Sequence, residues 1–144
     1  MDSPDRLQIR LARWEQDGAA IRGIRHAVFS IEQGIAKALD FDGQDLECVH
    51  VLASIGDGES IGTARMLPDG HVGRIAVHKA WRGQGVGARL TEYLTEVARD
   101  RGFETIHLHS QARAAGFYSR LGFEARGETF LEAGIEHVLM VRTL

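Results

Sequence analysis

Arg82-Gly83-Gln84-Gly85-Val86-Gly87 is a glycine-rich turn that follows the apolar run Ile75-Ala76-Val77 and precedes an amphipathic segment. Glycine lets backbone N–H groups converge with no Cβ in the way, and a helix starting there adds its positive dipole end and unpaired N–H groups. The combination predicts an anionic ligand. Two familiar phosphate binders do not fit. A P-loop needs Gly-x-x-x-x-Gly-Lys-Ser/Thr, whereas Ala88 and Arg89 stand where its second glycine and lysine would fall. A dinucleotide fingerprint needs Gly-x-Gly-x-x-Gly, whereas Gly83, Gly85 and Gly87 alternate. The turn does hold Arg-x-x-Gly-x-Gly, through Arg82, Gly85 and Gly87.

Other chemically able residues come in pairs. Cys48 and His50 stand two apart, as do His107 and His109, so each pair shares one face of a strand. Zinc needs three or four ligands, and neither Cys-x-x-Cys nor His-Glu-x-x-His spacing occurs, so packing is expected and no metal. Cys48 with His50 as its base would lack a third, orienting group.

The elements that must carry these residues follow from apolar spacing. Leu7 to Ala12 alternates as a strand, and Asp17 is expected to cap a helix with Ile21, Ile24, Ala27 and Val28 on one face. Ile31 to Asp45, with Asp40, Asp42, Gly43 and Asp45, reads as a mobile acidic loop. Val49 to Ile55, Ser60 to Leu67 and His71 to Val77 form a meander, with turns at Gly56-Asp57-Gly58 and Pro68-Asp69-Gly70. A helix runs from Val86 through Leu90, Tyr93, Leu94, Val97 and Ala98 to a cap near Gly102. Thr105 to His109 is a strand, Ala112 to Leu121 a helix stopped by Gly122, and Glu124 to Glu132 and Glu136 to Arg142 are closing strands. The order β-α-β-β-β-α-β-α-β-β predicts an α+β fold with a mixed sheet of about seven strands flanked by about four helices. The strand–helix–strand unit around the glycine turn calls for a parallel pair.

At 144 residues and 44% hydrophobic, the chain suits one domain, 1–144, large enough for a core. A net charge of −3 and a pI near 6.1 give no footprint for nucleic acid or an anionic membrane. One cysteine excludes an internal disulfide, and Met1 to Asp5 carries no basic-then-apolar signal, so a cytoplasmic location is expected.

The Arg82, Gly85, Gly87 pattern resembles the pyrophosphate loop of the GNAT superfamily of acyl-coenzyme A-dependent N-acyltransferases. Phe117-Tyr118-x-x-x-Gly122-Phe123 is similar to a second motif of that superfamily, and the likeness runs from about Leu7 to the end. The resemblance implies acetyl-CoA as donor, with its diphosphate on Arg82, Gly83, Gln84, Gly85, Val86, Gly87 and Ala88. It also implies pantetheine paired to the backbone of Ile75, Ala76 and Val77, with further donor contacts from Gln111, Ala114 and Phe117. Gln111 stands where many members carry asparagine. A bulge near Gly73 would splay this strand from the next, the Val77 N–H would polarise the thioester carbonyl, and Tyr118 would protonate the departing thiolate. The acceptor implied is a primary amine of a small molecule or peptide. Homodimers are common in the family, and an exposed edge is expected near Glu136 to Arg142.

Direct attack needs a neutral amine, hence a base for the ammonium proton. Some members supply a glutamate on the strand before the turn, but His71 to Val77 contains no acid. The candidates are Glu32, His109, Glu132 and His137. Glu32 leads, because Phe29-x-x-Glu32-Gln33 resembles a subgroup of small bacterial GNAT proteins whose helices here, with Phe29, wall the acceptor pocket. Two other readings stand beside the acetyltransferase: a longer acyl donor, as in acyl-homoserine-lactone synthases, and a non-catalytic acyl-CoA sensor.

Overall fold

The computed structural model describes residues 6–56 and 58–144. Asp57 of the expected Gly56-Asp57-Gly58 turn, and Met1 to Asp5, lie outside the described residues. Strands β1 (Leu7–Ala12), β2 (Val49–Ile55), β3 (Glu59–Met66) and β4 (Val72–Val77) form an antiparallel sheet in that order. Strands β5 (Thr105–Gln111), β6 (Glu124–Glu132) and β7 (Ile135–Thr143) form a second, in the order β5-β7-β6. The helices are α1 (Trp14–Arg25), the one-turn α2 (Lys37–Asp40), α3 (Val86–Asp100) and α4 (Ala115–Arg120), and α1 runs directly into a π-helical segment, His26–Glu32. The element order matches the sequence reading, with α2 added inside the stretch expected to be a loop.

Alternation along β2 explains the layers. Val51, Ala53 and Ile55 turn to one face, where Val86, Leu90, Leu94 and Ala98 of α3 cover them, and Leu52 turns to the other, under Ile21, Ile24 and Val28. Helix α3 sits close to the sheet because β3 offers Gly62, where a Cβ would come within 3.2 Å of both Leu90 and Val86. The second sheet adds Ile106, Leu108, Val138 and Met140 to the α3 side of the core.

Several sequence expectations need correction. Arg13, not Asp17, is the N-cap of α1; Asp17 lies in the first turn, where its carboxylate accepts the Arg13 N–H at 2.9 Å and a fork from Arg10. Ala112 to Ala114 forms a 3₁₀ turn, and α4 proper begins at Ala115. The exposed edge is not at Glu136 to Arg142, since β7 is paired on both sides, and β6 forms the border instead. The residues from Ile31 to Asp45 are held by ion pairs: Arg25, Arg65 and Arg74 reach Asp40, Asp42 and Asp45. No described helix is long and apolar enough to cross a membrane.

Candidate active site

The seven expected strands divide into two antiparallel sheets rather than one mixed sheet, and the expected parallel pairing is reduced to a single bridge, His71 to His107, supported by the His107 N–H donating to Gly70 O at 3.1 Å. Beyond it β4 and β5 part. The cause lies in β4, where Thr63 faces Ala76 and Arg65 faces Gly73, so Arg74 and Ile75 together oppose Ala64. This bulge adds one residue and bends the strand. Arg74 rather than Gly73 takes the left-handed conformation, with φ 49°, and is held there by donating to Asp40 O, Leu39 O and Asp42. The His78 N–H donates to Ile61 O at 2.9 Å on the β3 side, so strand alternation turns the N–H and C=O of Val77 towards the opening.

The glycine turn lies at the end of β4. Gly83 and Gly85 have φ of 77° and 84°, and a Cβ on either would meet nothing within 4 Å, so backbone angle rather than space demands glycine. Gly85 is the N-cap of α3 and offers no side chain; the first helical bond runs from Arg89 N–H to Gly85 O, leaving the N–H groups of Val86, Gly87 and Ala88 without an intrahelical acceptor. Phe117 lies against this turn, its Cζ 3.8 Å from the Cβ position of Gly87. The two motifs, remote in sequence, therefore meet.

The opening leads into a cleft of about 730 Å³. Of the residues singled out from sequence, Phe29, Ile75, His109, Gln111, Ala114, Tyr118, Glu132 and His137 line it. Ala76, Val77, Arg82 to Ala88, Phe117 and Glu32 are not among its lining residues, so the glycine turn lies outside the cleft that holds the histidines. Burial pushes the Tyr118 hydroxyl up to about 12, so it stays protonated. His109 Nδ1 lies 2.8 Å from Glu132 Oε1, and His137 Nε2 lies 3.7 Å from Glu132 Oε2. His137 Nδ1 donates to Ile135 O at 2.7 Å. Glu132 thus spans two histidines.

Sequence reasoning passed over His71, which stacks on His107 at 4.9 Å and on His109 at 4.5 Å. Burial first, then its histidine neighbours, hold it down at about 4, so it is neutral near pH 7. Its position as the first residue after the Asp69-Gly70 turn was a signal, but one read only as the start of a strand. Arg65 and Arg74 also line the cleft. Glu32 lies elsewhere: both its oxygens accept from the Arg82 guanidinium, Nη2 to Oε1 being 2.6 Å, and this pair holds its carboxyl below the ordinary range.

Asp45, Cys48 and His50 bring three potential ligand atoms within 4.8 Å of one another. That set does not suit a cation. Asp45 Oδ1 already accepts from both Arg25 and Arg65, at 2.7 and 2.9 Å, and burial pushes the Cys48 thiol up to about 11.

Comparison with known proteins agrees with this arrangement. Residues 30–144 match the family described as the acetyltransferase (GNAT) domain. A Bacillus subtilis relative carrying a provisional acetyltransferase name is 38% identical over 142 residues, spanning 94% of this chain and 96% of its own. The crystal structure of an acyl-CoA N-acyltransferase from Pseudomonas aeruginosa superposes with a TM-score of 0.83 at 29% identity, covering 95% of this chain and 99% of that one. That of Escherichia coli ElaA gives 0.80 at 30% identity, covering 99% of each. The chain belongs to the GNAT family, whose members are acyl-CoA-dependent acetyltransferases in general.

Proposed function

We propose that this protein transfers the acetyl group of acetyl-CoA to a primary amine of a small molecule or peptide, by direct attack within a ternary complex. The observation that carries the reading is the opened β4–β5 step, with an anion-binding turn at one end and Tyr118 and a histidine–carboxylate group lining the cleft beyond. Diphosphate would sit on the N–H groups of Arg82 to Ala88 at the start of α3, supported by its dipole. Pantetheine would follow the open side of Ile75, Ala76 and Val77, as an added strand does, and run on past Gln111, Ala114 and Phe117. The Val77 N–H would then face the thioester carbonyl and stabilise its developing negative charge.

The acceptor enters from the Phe29 side as an ammonium and must lose a proton. A carboxylate forked onto arginine is a poor base, so the role falls to His109 rather than Glu32. With Nδ1–H donated to Glu132, its Nε2 carries the lone pair, the arrangement a general base requires. The amine nitrogen then bonds to the thioester carbon, the carbon–sulfur bond breaks, and coenzyme A leaves as thiolate. A phenol at about 12 is a weaker acid than a thiol near 8.5, so Tyr118 stabilises that thiolate by donating a hydrogen bond without surrendering its proton outright.

The reading is tested by following coenzyme A release from acetyl-CoA with a thiol reagent across a panel of primary amines. Amine-dependent release is expected. Tight donor binding with no release over an amine-free control, for any amine, would instead favour the sensor.

A further inference from the structure

We infer that Glu32 is an internal anion that covers Arg82 in the free protein and is displaced from it by the diphosphate of the donor. The inference rests on the glycine turn being the donor site.

Arg82 opens that turn, and its guanidinium is aimed by a fixed contact: Nε donates to Val77 O at 3.0 Å, on the open side of β4. The edge carrying Nη1 and Nη2 is left facing outward, and both oxygens of Glu32 occupy it. A two-pronged carboxylate on guanidinium has the geometry that a phosphate adopts on the same group. Glu32 therefore stands where a phosphate oxygen pair can stand. Lys79 adds further positive potential at this carboxylate.

The hold is weak by construction. The side chains of Arg82 and Glu32 are 37% and 34% exposed, and ion pairs at that exposure stabilise little. A diphosphate brings more negative charge than one carboxylate and gains the α3 N-terminus and the turn N–H groups, which Glu32 does not contact in the structure. Exchange on Arg82 is then downhill once the donor arrives.

The exchange also links the glycine turn to the cleft. Glu32 is the last residue of the π-helical segment His26–Glu32, and Phe29 of that segment lines the acceptor side. While Arg82 holds Glu32, the acceptor wall is tied to the glycine turn. Donor binding unties it.

Calorimetric titration tests this with two donors, acetyl-CoA and S-acetylpantetheine, which shares the thioester arm but has no phosphate. Glu32→Gln removes the competing charge and is expected to tighten acetyl-CoA about two- to fivefold, the range of an exposed ion pair, and to leave S-acetylpantetheine unchanged. In an Arg82→Gln background the same substitution should change neither. Weaker acetyl-CoA binding in Glu32→Gln would mean that Glu32 orients Arg82 for the donor, overturning displacement. Unchanged acetyl-CoA binding would make the pair incidental, and tightening of both donors would locate the effect away from the phosphates; each rejects the inference. Failure of the unsubstituted protein to bind acetyl-CoA at all would instead remove the donor site, and displacement with it.

Discussion

Tyr118 and His109 reach the same cleft by different means, and their substitution should separate two steps of the reaction. Tyr118 has Phe117 and Phe123 packed edge-on to its ring at 4.9 and 6.0 Å, so Tyr118→Phe keeps that packing and removes only the hydroxyl. Turnover is expected to fall about 10²-fold, the low end for general-acid assistance, with donor affinity little changed. A drop in kcat/KM through KM alone would make the tyrosine a packing residue. Glu132→Gln should act through His109. The amide oxygen of glutamine still accepts from Nδ1, but the negative charge facing the imidazolium formed on proton transfer is lost, so turnover is expected to fall about tenfold with donor affinity little changed. Unaltered turnover would move the base away from this pair. The tyrosine was legible in the sequence because it stands inside a spaced motif. The His109–Glu132 pair was not, because nothing in their separation along the chain announces that β5 and β6 flank β7.

At the level of elements, the decisive device is the β4 bulge and the arginine network behind it. Arg25 is fully buried at the end of α1, donating to the Asp40 carboxylate and carbonyl and to Asp45, with Phe41 beneath its guanidinium at 4.8 Å. Arg74 at the bulge bonds the same short helix α2. One set of carboxylates thereby ties α1, α2 and the splayed strand together. Removing Arg25 leaves Asp40 and Asp45 buried with only Arg74 and Arg65 to offset them, so Arg25→Ala is expected to cost about 3 kcal/mol in urea unfolding, whereas an exposed arginine would change stability by a few tenths. A loss below 1 kcal/mol would mean that water reaches these acids freely. The acidic stretch looked like a mobile loop because its three aspartates have no partner nearby in sequence; their arginines come from α1, β3 and β4.

For the molecule as a whole, the buried neutral histidines and the paired aspartates make stability depend on acid in two ranges. His71 is held at about 4 against an ordinary value of 6.5, so between those values the unfolded chain binds more protons, and stability falls as pH falls. Asp42, bonded to Arg65, and Asp45, bonded to Arg25 and Arg65, have lowered values; their contribution is complete above the ordinary carboxylate range and is lost further down. The melting temperature should decline from pH 6.5 towards 4 and more steeply below. His71→Gln should flatten the first decline by roughly 1–2 kcal/mol, a value reduced for partial solvent access. Identical slopes in both proteins would show that His71 titrates normally.

The sequence by itself determined the elements and the glycine turn, because both are written in local spacing. A period of two marks β2 and a period of 3.6 marks α3, while Gly83 and Gly85 mark a backbone angle that other residues rarely adopt. Only the tertiary structure decided where the sheet opens, since the extra residue in β4 is defined by what faces it across β3. It also decided what each candidate acid lies against, Arg82 for Glu32 and His109 for Glu132. Glu32 led on its surroundings in sequence, yet it lies against Arg82, and the pairing of a carboxylate with a cation across the fold has no local signature.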